Sequence, residues 1–82
     1  MPERHVNVSI ELNKQQLDLR VPVAVTLARL SELIARVLQE HNIAMPPEWH
    51  LRLKDKPIAL GDFDVIGDFP VGEGDVFTVV TA

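Results

Sequence analysis

The sequence predicts an α+β domain: a mixed sheet of four to five strands with one helix packed on one face. Three observations support this class. Apolar and polar residues alternate through positions 6–12 and 17–21, as they do in strands that bury one face. Apolar residues between 27 and 38 recur at steps of three and four, the spacing of an amphipathic helix. Alternation then returns at 49–53 and 76–80, which completes the order strand, strand, helix, strand, strand.

Residues 6–21 are expected to form a hairpin. Its outward positions include Asp18 and Arg20, whereas its inward positions are apolar: Val6, Val8, Ile10, Leu12, Leu17, Leu19 and Val21. We place the turn at Lys14–Gln15, although the chain has no Asn-Gly pair, which is the usual signature of a two-residue hairpin turn. Pro22 carries no backbone N–H and is expected to end the second strand.

The helix is the most regular element of the pattern. Thr26 is a suitable N-cap, because its hydroxyl can accept a hydrogen bond from a free amide of the first turn. Asn42 tolerates the left-handed conformation and is expected to stop the helix. The stripe that packs on the sheet comprises Leu27, Leu30, Ile34, Val37 and Leu38.

The Met-Pro-Pro segment at 45–47 cannot continue the helix and is expected to be extended. A third strand follows at 49–53, with Trp49 among the residues that face the core. Residues 54–57 are predicted to turn, and residues 58–60 to form a short additional strand from the alternation of Ile58 and Leu60.

Residues 61–71 lack clean periodicity, and we expect a compact loop with one short helical turn that closes one end of the core. The apolar side chains available for this plug are Phe63, Val65, Ile66, Phe69 and Val71. A turn at 72–75 then leads into the last strand, in which Phe77 and Val79 point inward.

Two pairs of strands on either side of one helix place that helix across one face of the sheet, with a right-handed crossover between the second and third strands. This is the ubiquitin-like β-grasp arrangement, in which the last strand lies between the first and the third. We expect one domain, residues 1–82, with an ordered core from about residue 5 to about residue 80.

The composition excludes several classes of protein. Eight Lys and Arg against twelve Asp and Glu give a net charge of −4, which disfavours binding to nucleic acid. The absence of cysteine excludes a disulfide framework and a thiol nucleophile. No apolar stretch has the character of a signal peptide or approaches the roughly 20 residues that span a bilayer. We therefore expect a cytoplasmic protein without direct membrane insertion.

Two segments carry a resemblance to a known family. One is Met45-Pro46-Pro47, and the other is the pattern apolar-x-Asp-x-x-apolar-x-x-Gly-Asp-x-apolar in Ile66-Gly67-Asp68-Phe69-Pro70-Val71-Gly72-Glu73-Gly74-Asp75-Val76-Phe77. With these segments, nearly the whole chain resembles YukD and EsaB. These are small ubiquitin-like accessory proteins of bacterial type VII (WXG100) secretion systems.

The resemblance implies a cytosolic, non-conjugated β-grasp protein that assists or regulates the secretion machine. Its partner would be a cytosolic portion of the apparatus, since in related systems a similar domain forms the cytoplasmic part of a membrane component. The resemblance assigns no contact residues. Arg52 falls near the position where ubiquitin exposes its main docking isoleucine, so the usual receptors of ubiquitin are not expected to bind.

Two classes of function follow from this fold. The first, which we favour, is a non-enzymatic accessory or regulatory protein that acts by protein–protein interaction. The second is a ubiquitin-like modifier or a sulfur carrier, which acts through a flexible Gly-Gly tail with an activated carboxylate. The sequence ends instead in Val79-Val80-Thr81-Ala82, so this alternative requires a tail processed from a longer precursor.

Metal and catalytic sites receive little support. Residues 62–73 resemble a calcium loop, with potential ligands at Asp62, Asp64 and Glu73, but Ile66 occupies a ligand position without an oxygen and no helix enters the loop. The three histidines fall on three different elements, which disfavours zinc: His5, His41 and His50. We expect no enzyme, no metal site and no cofactor.

The outer face of the sheet is the better candidate for function. If the last strand lies beside the third, six outward residues form an apolar stripe with a basic margin: His50, Arg52, Lys54, Val76, Thr78 and Val80. Apolar residues grouped with arginine are typical of protein docking sites. The alternative is that the outward valines only reflect the preference of valine for strands. Edge strands of so small a sheet can also pair between chains, which would give a homodimer.

Overall fold

The computed structural model describes residues 4–54 and 56–81. Strands β1 (His5–Leu12), β2 (Gln15–Pro22), β3 (Trp49–Leu53) and β4 (Val76–Thr81) form one sheet in the order β2-β1-β4-β3, and helix α1 (Leu27–Glu40) lies between β2 and β3 in the chain. β1 is parallel to β4, and the other pairs are antiparallel. The predicted ubiquitin-like β-grasp is confirmed, with four strands and with the last strand between the first and the third.

The hairpin turn lies one residue earlier than predicted. β2 begins at Gln15, which pairs with Leu12, so the two turn residues are Asn13 and Lys14. Both have positive φ, 49° and 67°, as a type I′ turn requires. A lysine at the second position of such a turn carries a Cβ that disfavours the left-handed conformation. The sequence lacked the glycine that marks this turn, and the register therefore had to come from the structure.

Replacing Lys14 with glycine is expected to raise the free energy of unfolding by about 0.5–1 kcal/mol, because glycine adopts this conformation without steric strain. Urea unfolding followed by the fluorescence of Trp49 measures the change. Lys14→Ala serves as the control, since it removes the charge and keeps the Cβ, and it should bring no gain. A Lys14→Gly variant no more stable than Lys14→Ala would contradict this account of the turn.

Both ends of α1 are capped as the sequence predicted. The Thr26 hydroxyl accepts a hydrogen bond from the Arg29 amide at 3.2 Å. At the other end Asn42 has a φ of 59°, and the amides of Asn42 and Ile43 donate to the carbonyls of Gln39 and Leu38. This pair of bonds is the Schellman motif, which satisfies carbonyls that the helix leaves free.

The core lies between α1 and one face of the sheet. It is continuous and contains no buried polar or charged side chain among the described residues. Its members are Val6, Val8, Ile10, Leu12, Val21, Val23, Leu27, Leu30, Ile34, Leu38, Leu51, Leu53, Ile66, Val71, Phe77 and Val79. Three residues predicted to face inward are only half-buried against this core, and they lie on the edge strands: Leu17, Leu19 and Trp49. Val37, on the flank of the helix, is also only half-buried.

The additional strand predicted at Ile58 and Leu60 is wrong. Both side chains are half-buried against the core while Pro57, Ala59 and Gly61 are exposed, so the predicted alternation is present. The segment nevertheless pairs with no strand in the described part of the chain. Periodicity reports which side chains are buried, whereas a strand also requires a partner for its backbone. Asp55, in the turn predicted before this segment, lies outside the described residues.

Candidate functional site

The pairing of β3 with β4 brings the six predicted surface residues together. His50 lies opposite Val80 and Arg52 lies opposite Thr78, while the Lys54 amide donates to the Val76 carbonyl at 2.8 Å. The residues between them along each strand are buried in the core, so these six side chains share the opposite face. We call this group the outer face: His50, Arg52, Lys54, Val76, Thr78 and Val80.

The outer face has an apolar strip with polar borders. Val76, Thr78 and Val80 on β4 are half-buried, whereas His50 and Arg52 on β3 and Lys54 just after it are exposed. An open groove of about 490 Å³ runs over this region, and its lining includes Arg52, Thr78 and Val80. The strip is therefore accessible at its centre, and the positive side chains of Arg52 on β3 and Lys54 just after it border one side.

The second border contains a residue that the sequence argument missed. Glu11 on β1 lies opposite Thr78, and its carboxylate accepts a hydrogen bond from the Lys54 ammonium at 2.8 Å. Thr78 is thus flanked by Arg52 on one neighbouring strand and by Glu11 on the other. The ion pair with Glu11 also neutralises part of the charge of Lys54. The outward alternation of β1 indicated that Glu11 was exposed, but only the parallel register of β1 and β4 places it beside this strip.

Beyond Glu11 the same side of the sheet becomes polar. The Glu73 carboxylate accepts hydrogen bonds from both the amide and the side chain of Asn7, at 3.0 Å and 2.9 Å. The Ser9 hydroxyl donates to the Asp18 carboxylate at 2.7 Å. These pairs occupy the outer side of β1 and β2, so the apolar part of the surface is confined to β4.

The loop at 61–71 closes the core only in part as predicted. Ile66 and Val71 are buried, Phe69 is half-buried, and a short 3₁₀ turn spans Ile66–Asp68. The Gly67 amide donates to the Val23 carbonyl at 2.8 Å, and a Cβ at Gly67 would lie 3.2 Å from that oxygen. The absence of a side chain at Gly67 therefore lets the turn dock against the segment before α1.

Phe63 contradicts the prediction that the aromatic residues of this loop plug the core, because its side chain is 91% exposed. The carbonyls of Asp62 and Asp64 accept hydrogen bonds from the amides of Ala28 and Leu27, at 3.0 Å and 2.9 Å. These bonds hold the backbone on both sides of Phe63 against the start of α1, so the ring projects into solvent. The arrangement satisfies amides of the first helical turn with loop carbonyls.

Replacing Phe63 with alanine is expected to change the free energy of unfolding by less than about 0.5 kcal/mol, because the ring buries little surface to lose. Urea unfolding monitored by circular dichroism tests this, since helix and sheet report together. A loss above about 2 kcal/mol would show that the ring packs in the core after all.

The carboxylates of the calcium-like segment bond to different parts of the protein. Glu73 binds Asn7 on β1, whereas the Asp64 carboxylate accepts a hydrogen bond from the Gly61 amide at 2.7 Å and closes its own turn. Over residues 4–54 and 56–81, no group of three or more His, Asp or Glu side chains is arranged to hold a metal ion. The segment acts as a turn beside α1 instead of a loop between two helices.

Comparison with protein families shows to which family this chain belongs. The model of a family described as "WXG100 protein secretion system (Wss), protein YukD" matches residues 5–79. The chain belongs to the YukD family. It is therefore a ubiquitin-like protein of type VII, or WXG100, secretion, as the two quoted segments suggested. The chain is also similar in sequence to an uncharacterized protein of Clostridium acetobutylicum. The two are 46% identical over 80 residues, which cover 98% of this chain and 86% of the relative.

Solved structures place the YukD-family chain among ubiquitin-like folds. The ubiquitin-like domain of the Mycobacterium tuberculosis type VII secretion system protein ECCD1 has a TM-score of 0.72 at 21% identity, covering 95% of this chain and 99% of that domain. A chain of the "MycP5-free ESX-5 inner membrane complex, State II" has a TM-score of 0.71 at 14% identity, covering 99% of this chain and 21% of the other. At these identities the likeness shows the fold. Within its described part, the YukD-family chain has no helix long and apolar enough to cross a membrane.

Proposed function

We propose that this YukD-family protein is a non-enzymatic accessory or regulatory subunit of a type VII secretion system. It acts in the cytoplasm by binding a cytosolic portion of the secretion apparatus through the outer face. Membership of the family supports the link to secretion. The occurrence of a similar fold in ECCD1 and in an inner membrane complex supports a partner within the apparatus itself.

The observation that carries the choice of surface is the register of β3 and β4. It aligns Arg52 with Thr78 and His50 with Val80, so that a half-buried apolar strip runs beside exposed basic side chains. A partner that covers this strip would remove apolar area from water, and its carboxylates would accept hydrogen bonds from Arg52 at the edge. Arginine beside an apolar centre is a common feature of the residues that dominate binding energy at interfaces.

The competing explanation is that Val76 and Val80 are present only because valine stabilises strands. That explanation predicts that an outward valine can be exchanged for another β-branched residue or for a charge without a functional effect. The proposal predicts the opposite for charge. Val80→Thr keeps the shape and strand preference of valine, and Val80→Asp introduces a carboxylate into the strip, so the pair separates the two explanations.

Arg52→Asp and Val80→Asp are each expected to weaken binding to the apparatus by about 2 kcal/mol or more, which is roughly thirtyfold. The measurement is calorimetric titration of the purified protein with purified cytosolic domains of the membrane components. Lys14→Asp is the matched control for Arg52→Asp, because it makes the same change of charge in the exposed hairpin turn away from the outer face. Circular dichroism checks that every variant remains folded.

Unchanged affinity in both outer-face variants, with Lys14→Asp equally neutral, would show that the proposed face is wrong. Intact-mass analysis of the cellular protein addresses the non-enzymatic, non-conjugated part of the proposal separately. A thiocarboxylate, or a ladder of adducts that survives denaturing electrophoresis, would replace docking by the chemistry of a modifier or sulfur carrier.

A further inference from the structure

An apolar groove follows the opposite side of the sheet, where α1 leaves part of β2 uncovered. Along β2, Val21 is buried but Leu19 and Leu17 are only half-buried, although all three face the helix side. Two depressions lie along β2 and α1 on this side. One, of about 350 Å³, is lined by residues that include Leu17, Leu38 and Ile43; the other, of about 210 Å³, is lined by residues that include Leu19, Leu33 and Val37. We call the pair the β2–α1 groove.

The groove is bordered by a strand edge that no described strand pairs with. β2 is the outermost strand of the sheet. The Val23 amide donates to the Arg4 carbonyl at 3.1 Å, and the continuous register from there sets which residues of β2 bond to β1. Because bonding alternates along an antiparallel pair, Val21, Leu19 and Leu17 bond to β1, while Gln16, Asp18 and Arg20 direct their backbone groups outward.

The depressions match the geometry of an added strand. Leu17 and Leu19, one in each depression, are two residues apart on β2, a separation of about 7 Å along the strand. A peptide paired with the free edge would carry alternate side chains on the helix side at this same spacing. Peptides that extend a sheet in this way gain affinity from backbone hydrogen bonds and specificity from pockets for alternate side chains.

The charge of the groove indicates the chemistry of its occupant. The charged side chain on the helix side of the 210 Å³ depression is that of Arg36. Arg20 also borders this depression, but its side chain alternates toward the other face of the sheet. No acidic residue lines either depression within the described chain. A border with an arginine and no acidic residue stands out on a protein whose net charge is −4. A segment with Asp or Glu next to the side chain that enters this depression would therefore gain from charge complementarity.

We propose that the β2–α1 groove binds an extended segment of another protein by strand addition to the free edge of β2. The segment carries aliphatic side chains at two alternate positions and acidic residues beside the one nearest Arg36. This surface is separate from the outer face, and it would let the protein hold two partners at once.

Selection from a displayed library of random decapeptides tests the proposal directly. Recovered sequences should show the alternating aliphatic pattern with flanking acids. Titrated into the ¹⁵N-labelled protein, a recovered peptide should shift and protect the amides of Gln16, Asp18 and Arg20. Arg36→Glu should weaken the acidic peptide at least tenfold and strengthen a twin in which lysines replace the acids. Leu33→Asp, a half-buried position on the helix border, should abolish binding.

Arg52→Asp is the control that separates this surface from the outer face, and it should leave peptide affinity unchanged. The proposal fails if selection returns no such pattern, if the shifts map to β3 and β4, or if Arg36→Glu has no effect on affinity. Concentration-dependent shifts of the same β2 amides without peptide would also overturn it, since they would show that a second copy of this chain occupies the edge.

Discussion

Replacing Phe77 with alanine is expected to lower the free energy of unfolding by about 3–5 kcal/mol. Phe77 is fully buried on β4, and it lies directly opposite Ile10 on one neighbouring strand and Leu53 on the other. Deletion of the ring removes apolar contacts with both neighbours and leaves a cavity that a packed sheet cannot collapse around. For a domain of this size, the loss is a large part of the total stability.

Thermal and urea unfolding measure this loss, and the melting temperature should fall by on the order of 20 °C. Phe77→Leu restores most of the volume and should cost less than about 1.5 kcal/mol, so it remains measurable if the alanine variant does not fold. The chain also supplies a matched control. Phe63→Ala makes the same chemical change at an exposed ring, and the two losses should differ by several kcal/mol. Similar losses at Phe63 and Phe77 would contradict the assignment of Phe77 to the core and of Phe63 to the surface.

Most of the fold could be predicted from the sequence because each element buries one face. Alternation identified the four strands, and steps of three and four identified α1 together with both of its capping residues, Thr26 and Asn42. Pairing was harder to predict, because burial and backbone partnership are separate properties. Ile58 and Leu60 alternate with exposed residues and yet belong to no strand. The hairpin turn was misplaced for a related reason, since Lys14 has the required conformation without the residue type that usually accompanies it.

The position of Phe63 depended on interactions that no pattern encodes. Aromatic residues are buried by default, and the loop at 61–71 does contribute Ile66 and Val71 to the core. Hydrogen bonds from α1 to the carbonyls on either side of Phe63 determine that its ring points outward. Such long-range capping involves residues more than thirty positions apart in the chain. It becomes visible only once the helix and the loop are placed together.

The outer face, too, could be predicted from the sequence only in part. Its six residues follow from alternation once β4 is taken to lie beside β3, and the register brings them together as predicted. The ion pair of Lys54 with Glu11 could not be predicted in the same way, because it spans β4 and depends on the parallel register with β1. The binding role of the face stays a prediction. The ion pair partly neutralises Lys54, so Arg52 is the basic residue of this border that we expect to contact a partner.

Asp75 immediately precedes β4, and its replacement by alanine is expected to lower the free energy of unfolding by about 2–3 kcal/mol. Its carboxylate accepts hydrogen bonds from the Gly72 amide at 2.8 Å and from the Lys56 ammonium at 2.9 Å. The same ammonium donates to the Pro70 carbonyl at 2.8 Å. The Asp75 side chain is only 14% exposed, so its loss leaves a poorly solvated amide and an ammonium with one partner fewer. Hydrogen bonds to charged groups in such surroundings are worth more than those at the open surface.

A double-mutant cycle isolates the ionic part of this interaction. Asp75→Ala, Lys56→Met and the double variant, unfolded in urea, should give a coupling energy of about 1–2 kcal/mol. Arg29 and Glu32 form the comparison pair, since they lie 3.0 Å apart on α1 with side chains that are 50% and 68% exposed. Their coupling should be no more than about 0.5 kcal/mol and should decline with added salt. Equal coupling in the two pairs would mean that Asp75 stabilises β4 through the Gly72 amide alone. In that case Asp75→Asn, which keeps an acceptor oxygen and loses the charge, should recover most of the lost stability.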